Sequence, residues 1–528
     1  MLALLLFAAL AQAAAISDHS FEAQCLSFRP EASVLNSTRT QLQFVAAGTN
    51  LTFPDNDPTC NRNSQVVGTD LCRIALSIPT SSRSSITLEL WLPETWTGRT
   101  LATGNGGIDG CIKYEDIAYG STNGFATVGT NNGHNGTYGD AFYQNDDVVT
   151  DFAWRSLHTS VDVSKKLTAE FYGSSLGRSY YIGCSLGGRQ GIKAAEMFPE
   201  DFDGIVAGAP AVDFNNLYSW RASFFPITGA SSDNDFISAG TWNTTIHNEV
   251  LNQCDAIDGV KDGIIEDPTA CHFEPGALLC QSNSSTNCLS STQVEIVNKV
   301  YSDYLWPNGT LIFPRMQPGS EIQAATGLYA GRRWALSYDW FRFAVLENPD
   351  WDAATYTTKD AFIADEKNPG TIRTWPSSLS PFEEAGGKIL SFHGLQDQQI
   401  TSFNSKRFYE HLSTAMDYTP AQMDNFYRYF RVPGMSHCNS GPGAWVLGQG
   451  GNAASKGIPF DAEHNVLAAV VDWVERGTAP DVMLGTKFVN DDVDQGVAYT
   501  HRHCRWPLTS TYQGGDLDPH QADSWQCL

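Results

Sequence analysis

Charge is scarce in this sequence, and positive charge is the scarcest. Charged residues make up 17% of the 528 residues, and 33 Lys and Arg stand against 58 Asp and Glu, which gives a net charge of −25. Binding to nucleic acid or to an anionic membrane needs a basic face that neutralises phosphates. The composition therefore argues against both of these partners.

Long hydrophobic runs are also absent after the first residues. No later segment reaches the roughly 18 consecutive apolar residues of a membrane-spanning helix, so we expect no membrane anchor. Residues 1–15 (MLALLLFAALAQAAA) are apolar and then small, with an Ala-x-Ala cleavage site at 11–13. This pattern predicts a signal peptide and a secreted, extracellular protein. A buried first helix is the alternative.

No Cys-x-x-Cys pair occurs, which argues against zinc and thioredoxin-like chemistry. The twelve cysteines are an even number in a chain predicted to be secreted, and so they predict six disulfides. Six Asn-x-Ser/Thr sequons add the expectation of a glycoprotein. These sequons stand at Asn36, Asn50, Asn135, Asn243, Asn283 and Asn308.

Hydrophobic residues make up 42% of the chain, enough for a large core. Short apolar runs alternate with helical patterns up to about residue 213 and again from about 385, which predicts a parallel sheet covered by helices. Between these parts the periodicity weakens and Asn, Ser, Thr, Trp and Cys dominate. We interpret 16–213 and 385–528 as one α/β catalytic domain, and 214–384 as an inserted, disulfide-stapled lid domain.

The pattern Gly-x-Ser-x-Gly occurs twice, at 173–177 and at 183–187. The nucleophile elbow of an α/β-hydrolase fold needs a strand, a sharp turn and then a helix, because this order lifts the serine above the sheet. Ser175 follows a helix and precedes a strand, which is the wrong order. Ser185 follows an apolar strand and precedes a helical stretch, and small neighbours allow the turn. We predict Ser185 as the nucleophile, with an ordinary turn serine as the alternative.

In this fold the orienting acid and the base follow the nucleophile, in the order Asp or Glu and then His. Asp397 lies on a short loop after the predicted strand 388–392, and His437 lies on the loop after the next strand, 426–432. We therefore predict Asp397 as the acid and His437 as the base. Asp397 would otherwise cap the helix that begins near 402, and His393, on the acid's own turn, is interpreted as structural.

Two cysteines flank these candidates. Cys184 immediately precedes Ser185, and Cys438 immediately follows His437. If the serine and the histidine are in contact, the two sulfurs lie within reach of each other and oxidise to a disulfide in a secreted protein. The alternative is local pairing, but neither cysteine has another cysteine near it in the sequence.

An acyl-transfer site also needs two N–H donors for the oxyanion. The amide of Leu186, directly after the nucleophile, is the first. The loop GNGG at 104–107 follows a predicted strand and is similar to the oxyanion loop of esterases, so it offers Gly106 as first choice and Gly107 as second. A plain glycine turn is the alternative.

A candidate cation site lies between Cys254 and Cys271. Asp255, Asp258 and Asp262 share a loop that contains glycine. Carboxylates with intervening carbonyl oxygens are ligands that Ca²⁺ prefers, although the spacing is not that of an EF-hand. An exposed acidic hairpin is the alternative.

The Cys-Ser…Asp…His-Cys arrangement resembles the fungal tannase and feruloyl esterase family. The elbow GCSLGGRQG at 183–191, the segment 198–210 (FPEDFDGIVAGAP) and the loop 254–264 (CDAIDGVKDGI) carry the resemblance, which extends over nearly the whole mature chain. It implies the triad and the Cys184–Cys438 disulfide. It also implies a structural Ca²⁺ in the lid, held by the side chains of Asp255, Asp258 and Asp262 and by the carbonyls of Val260 and Ile264.

The remaining cysteines are expected to pair in two ways. Nearness in the sequence predicts Cys254–Cys271, Cys280–Cys288 and Cys504–Cys527. The family resemblance implies the crossed pairs Cys25–Cys72 and Cys60–Cys111.

The resemblance implies a secreted serine esterase that acts on aromatic acid esters of plant polysaccharides or on small phenolic esters. The length and the compact lid favour the feruloyl esterase type B branch, with feruloyl, p-coumaroyl or caffeoyl esters as substrates. Alternatives are a tannase, a chlorogenate esterase and a non-catalytic binding protein of the hydrolase fold. The substrate ring is expected against lid aromatics, which ordinary lid core explains equally well: Trp334, Tyr338, Trp340 and Phe341.

Overall fold

The computed structural model describes residues 20–281 and 287–528. The expected signal peptide, 1–15, and the sequon at Asn283 lie outside the described residues. Within the described part of the chain, no helix has the length and apolar character needed to cross a bilayer.

Nine strands form the central sheet, in the order β1-β4-β5-β7-β6-β8-β9-β12-β13. The strands from β1 to β7 in this order pair antiparallel, and those from β7 to β13 pair parallel. The strands are β1 (Thr38–Val45), β2 (Asn50–Thr52), β3 (Ser64–Val66), β4 (Leu71–Pro79), β5 (Ser85–Pro93), β6 (Arg99–Thr103), β7 (Ala126–Thr130), β8 (Arg178–Cys184), β9 (Gly204–Gly208), β10 (Tyr304–Leu305), β11 (Leu311–Phe313), β12 (Lys388–Gly394), β13 (Tyr427–Val432), β14 (Val482–Phe488), β15 (Val497–Cys504), β16 (Ser510–Tyr512) and β17 (Trp525–Cys527).

The α-helices precede the first strand, lie between the strands of the sheet and in the long segment between β9 and β12, and follow β13. They are α1 (Phe21–Ser27), α2 (Pro30–Ser33), α3 (Tyr114–Thr122), α4 (Asp146–Thr150), α5 (Ser156–Tyr172), α6 (Leu186–Met197), α7 (Phe214–Thr228), α8 (Ala239–Thr241), α9 (His247–Cys254), α10 (Ser291–Val300), α11 (Glu321–Ala324), α12 (Ala335–Asp339), α13 (Thr358–Lys367), α14 (Ser380–Glu384), α15 (Ser402–Ala415), α16 (Pro420–Met423) and α17 (Val466–Arg476).

The central strands are covered by helices on both faces, which explains their unbroken apolar runs. In β8, Tyr181 packs in a cluster with residues of α5, α6 and α15, while Tyr180 and Ile182 pack with residues of α17. Every residue of β8 after Arg178 is buried. The α/β-hydrolase class predicted from the sequence is confirmed by this mostly parallel, doubly covered sheet.

A long insertion separates two strands that are neighbours in the sheet. The chain leaves the sheet after β9 and returns at β12, which pairs parallel to β9. The intervening segment is mainly helical, and its buried Trp220, Trp242 and Trp340 share one hydrophobic cluster with Leu186. The insertion therefore packs directly beside the predicted nucleophile; its role as a separate lid domain stays a prediction.

Six disulfides are present, in the pairs given in the sequence analysis, and no described cysteine is free. They are Cys25–Cys72, Cys60–Cys111, Cys184–Cys438, Cys254–Cys271, Cys280–Cys288 and Cys504–Cys527.

Candidate active site

Ser185 stands at the sharp turn between β8 and α6. Its φ of 66° and ψ of −122° lie in a sparsely populated region, where side chains are found mainly at functional turns. The Ser185 amide donates to the Gly208 carbonyl at 3.0 Å, and the Ser185 carbonyl accepts from the Ala211 amide at 3.0 Å. Gly188 is required by the close approach, because a Cβ there would lie 2.3 Å from the Gly208 carbonyl oxygen. The structure therefore has the elbow that the sequence predicts.

The second Gly-x-Ser-x-Gly pattern lies elsewhere. Ser175 is exposed, in the segment between α5 and β8. That segment enters the amino end of β8, whereas Ser185 follows the carboxyl end of the same strand. The structure thus separates Ser175 from the candidate site.

Asp397 and His437 lie on the loops that follow β12 and β13. Because these strands are parallel neighbours, their carboxyl ends meet at one edge of the sheet. His437 Nδ1 donates to Asp397 Oδ2 at 2.7 Å. This bond selects the tautomer with the proton on Nδ1, so Nε2 is left to accept a proton.

The disulfide Cys184–Cys438 joins the elbow to the histidine loop. Its Cα atoms are 6.0 Å apart, and it links the residue before Ser185 to the residue after His437. A cavity of about 400 Å³ borders this disulfide, with Trp445 in its wall. The disulfide therefore holds the histidine loop against the elbow, and the cavity lies next to this link.

The Asp397 carboxylate is fully buried and fully hydrogen-bonded. Its Oδ1 accepts from the amides of Gln399 and Ile400 at 2.7 and 2.9 Å. Burial by itself raises the pKa of Asp397, but the neighbouring His437 and His393 outweigh it and hold that pKa below its ordinary value. The carboxylate is therefore ionised whenever the enzyme is folded at neutral pH.

His393 is a second histidine on the same carboxylate. Its Nε2 lies 3.0 Å from Asp397 Oδ2 and 3.0 Å from the Ile400 carbonyl, and its Nδ1 accepts from Ser405 Oγ at 2.7 Å. The sequence predicts a structural role for His393 but does not indicate this contact with the carboxylate. The available signal was its place at the end of β12, four residues before the acid.

The insertion reaches the histidine loop through a pair of glutamines. Gln323 Nε2 donates to Ser436 Oγ at 3.0 Å, and Gln323 Oε1 accepts from Gln398 Nε2 at 3.0 Å. Gln398 Oε1 in turn accepts from the His437 amide at 3.1 Å. Gln323 therefore braces the backbone that carries the base, and no sequence motif indicated this.

The insertion also holds the acid loop. Gln317 Nε2 donates to the carbonyl of Asp397, and the buried Arg221 donates from Nε to the Gln399 carbonyl at 2.8 Å. Both residues belong to the segment between β9 and β12. The loop of the acid is thus held on one side by β12 and on the other by the insertion.

The two candidate glycine amides of the loop 104–107 differ in their hydrogen bonds. The Gly106 amide donates to Asp109 Oδ1 at 3.3 Å, whereas the Gly107 amide has no acceptor among the described residues. Burial raises the pKa of Asp109 to about 6. The Leu186 amide begins α6 and so has no acceptor within its own helix. The Asp109 carboxylate thus accepts from the Gly106 amide and leaves the Gly107 amide free of an acceptor among the described residues, and the choice of oxyanion donor stays a prediction.

Lid aromatics divide into two groups. Trp340 and Phe341 are fully buried, and Trp340 packs edge-on against Phe214 with ring centroids 5.1 Å apart. Their burial favours the alternative given for them, that they belong to the hydrophobic core of the insertion. Trp334 and Tyr338 are half-buried, and the guanidinium carbons of Arg333 and Arg342 lie 4.0 and 4.4 Å from the centroid of the Tyr338 ring.

The acidic loop forms three local turns in which one carboxylate oxygen binds a backbone amide. Burial, and then the neighbouring carboxylates, raise the pKa of Asp258 to about 6 and raise that of Asp262. The donor chemistry fits a hard cation, yet in the described residues no three His, Cys, Asp or Glu side chains are gathered closely enough to hold a metal ion. Calcium stays a prediction. The turn contacts are Asp255 Oδ1 to the Gly263 amide at 3.0 Å, Asp258 Oδ1 to the Val260 amide at 2.9 Å and Asp262 Oδ1 to the Ile264 amide at 3.0 Å.

The sequons within the described residues differ in exposure. Asn243 is half-buried in a short π-helical segment, Trp242–Ile246. The others are exposed, as a glycan attachment requires: Asn36, Asn50, Asn135 and Asn308.

Known proteins share both the sequence and this architecture. The family model described as tannase and feruloyl esterase matches residues 65–528. The probable feruloyl esterase B-2 of Aspergillus flavus is 57% identical over 488 residues, which cover 92% of this chain and 94% of the relative. The crystal structure of feruloyl esterase B from Aspergillus oryzae has a TM-score of 0.93 at 45% identity and covers 96% of this chain and 100% of that chain. Tannin acyl hydrolase from Aspergillus niger, at 21% identity and a TM-score of 0.73, covers 96% of this chain and 94% of that chain and shares the fold. This chain belongs to the tannase and feruloyl esterase family.

Proposed function

We propose that this chain hydrolyses esters of hydroxycinnamic acids, with Ser185 as nucleophile, His437 as general base and Asp397 as orienting acid. The observation that carries the proposal is the 2.7 Å hydrogen bond between Asp397 and His437, on a loop that the Cys184–Cys438 disulfide ties to the elbow. Family membership supports the reaction class, that of a carboxylic ester hydrolase.

The reaction follows from the positions of these groups. Ser185 Oγ attacks the ester carbonyl carbon while His437 Nε2 takes the hydroxyl proton. The amides of Leu186 and Gly107 donate to the oxyanion of the tetrahedral intermediate. The alcohol leaves with the proton from His437, and water then attacks the acyl-enzyme with the same histidine as base.

The role of Asp397 is to orient and to stabilise. Its ionised carboxylate holds the Nδ1 proton of His437 and favours the imidazolium that forms as the serine is deprotonated. The low pKa of Asp397 keeps this charge in place over the range in which the histidine works.

Sequence identity to known proteins favours hydroxycinnamate esters over galloyl esters as the substrates. Relatives named feruloyl esterase B are 45% to 57% identical to this chain. The tannin acyl hydrolase is 21% identical, and this similarity shows only that the two chains share a fold. Chlorogenate carries a caffeoyl group and belongs to the same chemical class, so a chlorogenate esterase is the nearest alternative.

Secretion and a structural calcium complete the proposal. The apolar residues 1–15, six disulfides and exposed sequons support an extracellular glycoprotein. Calcium would be held by Asp255, Asp258 and Asp262 with the Val260 and Ile264 carbonyls. When bound it would neutralise mutually repelling carboxylates, and it takes no part in the hydrolysis.

The test is hydrolysis of methyl ferulate, methyl caffeate, methyl sinapate, methyl gallate and chlorogenate by the purified protein. Ser185→Ala should lose roughly 10³-fold or more in kcat, and the matched change Ser175→Ala should lose nothing. A serine-reactive phosphonate should label the parent protein and not the Ser185 variant. Near-normal hydrolysis by Ser185→Ala would reject the mechanism, and preference for methyl gallate would favour a tannase.

A further inference from the structure

A second concavity lies on the antiparallel part of the sheet; we call it the sheet-face cleft. Its volume is about 360 Å³. Ala75 and Glu89, which are in register across β4 and β5, form its floor, and Gln41 of β1, in register with Ala75, lies at its rim. Its walls come from residues 52–57 and from the loop after β7. None of the proposed catalytic residues lines it.

A buried ion pair stiffens the floor of the sheet-face cleft. Arg73 and Glu89 are 7% and 3% exposed, and Arg73 donates from Nε to Glu89 Oε2 at 2.8 Å and from Nη2 to Oε1. Glu89 also accepts from Trp91 Nε1 at 3.0 Å and from the Tyr114 hydroxyl at 3.2 Å. The carboxylate is therefore satisfied, and the buried pair holds the floor in one shape.

Flat groups stand beside this pair. The rings of Phe53 and Tyr114 are stacked with centroids 3.5 Å apart, and the Arg73 guanidinium lies 5.2 Å from the centroid of Phe53. Together they give the cleft a rigid wall that is partly apolar. Such a wall suits a ligand with an apolar face and polar edges.

The rim supplies polar groups that the protein itself does not use. Thr40, Gln41, Thr52 and Asp55 are exposed, and their side chains make no hydrogen bond to other described residues. Hydroxyl, amide and carboxylate groups around a flat wall can donate to and accept from ligand hydroxyls. The net charge of −25 and the acidic rim oppose an anionic ligand.

One loop connects the sheet-face cleft to the candidate active site. Residues 104–107 carry the proposed oxyanion donor, and Gly110 and Ile112 of the same loop line the cleft. Asp109 Oδ1 accepts from the amides of Gly106 and Cys111 at 3.3 Å each, which holds the loop in one shape. A ligand in the cleft would therefore lie one loop away from a reacting ester.

We propose that the sheet-face cleft binds a neutral sugar chain. Two sources share this chemistry: the polysaccharide that bears the ester, and the chain's own glycan at Asn135. Asn135 lines the cleft, and its Oδ1 accepts from Asn131 Nδ2 at 3.1 Å, which leaves its Nδ2 for the glycan bond. Only the polysaccharide source rests on the proposed esterase function, since sugar binding itself needs no catalysis.

Calorimetric titration with xylohexaose tests the site, with the full-length glycosylated protein and with Asn135→Gln. Binding is expected in at least one of the two forms. In the form that binds, Gln41→Ala with Asp55→Ala should weaken the affinity at least about 10-fold, because two contacts to sugar hydroxyls are lost. The control Gln65→Ala, on β3 outside the cleft, should bind as its parent does. Hexagalacturonate should not compete, because it is anionic.

Site-resolved digestion of the native protein with an endoglycosidase separates the sources. Binding of xylohexaose to the glycosylated protein identifies the polysaccharide. Binding only by Asn135→Gln, together with slower trimming at Asn135 than at the exposed turn residue Asn308, identifies the protein's own glycan. No binding by either form overturns the proposal. Hydrolysis of methyl ferulate is measured separately, so loss of the proposed function would leave this result standing.

Discussion

Nε2 of His393 lies 3.0 Å from Oδ2 of Asp397, the same oxygen that accepts from His437 Nδ1. His393 and Asp397 are both fully buried. The acid is therefore held by a histidine from its own strand end as well as by the proposed base. We therefore expect His393 to be a positioning residue that acts through Asp397.

Removal of this histidine should misplace the acid without touching the substrate. His393→Ala is expected to lower kcat by about 10- to 100-fold with little change in KM, because the base is no longer oriented to within an ångström. His393→Gln keeps an N–H donor and should recover much of the loss. Steady-state kinetics on methyl ferulate would check this, and equal loss in both variants would show that His393 serves only the packing.

The insertion provides the next prediction, through Gln323. Gln323→Ala removes the contacts to Ser436 and Gln398, and Gln398 in turn holds the His437 amide. We expect kcat to fall by about 10-fold while the melting temperature changes little, since the loss concerns the placement of the base.

A glutamine elsewhere in the insertion is the matched control. Gln293 forms a capping box with Ser290 at the start of α10. Gln293→Ala should lower stability by about 1 kcal/mol and leave kcat unchanged. If both variants behave alike, the brace from Gln323 has no part in catalysis.

The sequence was sufficient for those parts of the site that depend on contiguous residues. The strand, turn and helix around Ser185 are adjacent in the chain, and the small residues at 187 and 188 predict the tight turn. Asp397 and His437 follow predicted strands at the same edge of a parallel sheet. The positions of Cys184 and Cys438 then followed from those of their neighbours.

Other parts depend on how separate segments dock, which no local pattern records. Gln317 and Gln323 contact the acid and base loops only because the insertion packs there. The contact between the Gly106 amide and the carboxylate of Asp109 also depends on the direction of one peptide, which the glycine loop itself does not indicate. Likewise, the sequence does not predict whether Trp340 is buried, because the segment around it has no clear periodicity.

The disulfide next to the elbow should matter more for activity than for secondary structure. Replacing both Cys184 and Cys438 with Ala frees the histidine loop from the serine turn and opens a long loop, worth about 4–5 kcal/mol in chain-entropy terms. We expect kcat to fall steeply while the far-ultraviolet circular dichroism changes little. The control pair Cys504→Ala with Cys527→Ala should lose stability and keep kcat. Recovery of Cys184 in a peptide linked to another cysteine would contradict the assignment.

The direction of the change in melting temperature tests whether Ca²⁺ binds to the acidic loop. Asp258→Asn with Asp262→Asn keeps the Oδ1 acceptors for the Val260 and Ile264 amides and removes only charge. If Ca²⁺ binds here, the melting temperature should fall and bound calcium should be lost, because a ligand of the folded state stabilises it. Without bound metal, the removal of repulsion should raise or preserve the melting temperature. Chelation of the parent protein should lower its melting temperature more than its kcat.

Acid should destabilise the fold through a buried histidine outside the proposed triad. His503 on β15 is 1% exposed, its Nε2 donates to the Ala444 carbonyl at 2.8 Å, and its Nδ1 has no partner among the described residues. Burial lowers the pKa of His503 to about 4, whereas an unfolded histidine has a pKa of about 6.5. Between these values the unfolded chain binds a proton that the folded chain does not. Stability therefore falls as the pH falls from about 6.5 to about 4, by about 1.4 kcal/mol per unit and up to about 3 kcal/mol in all.

The variant His503→Gln should remove this pH dependence. Glutamine keeps an N–H donor for Ala444 and does not titrate, so its free energy of unfolding should change less with acid than that of the parent. Urea unfolding at pH 7.5, 6 and 5 would measure the free energy of unfolding of both proteins. Any advantage of the parent over the variant at pH 7.5 should shrink, or change to an advantage of the variant, as the pH falls. His520→Gln, at an exposed position, should track the parent protein. Parallel curves for the parent and His503→Gln would mean that His503 stays uncharged in both states or is protonated in both.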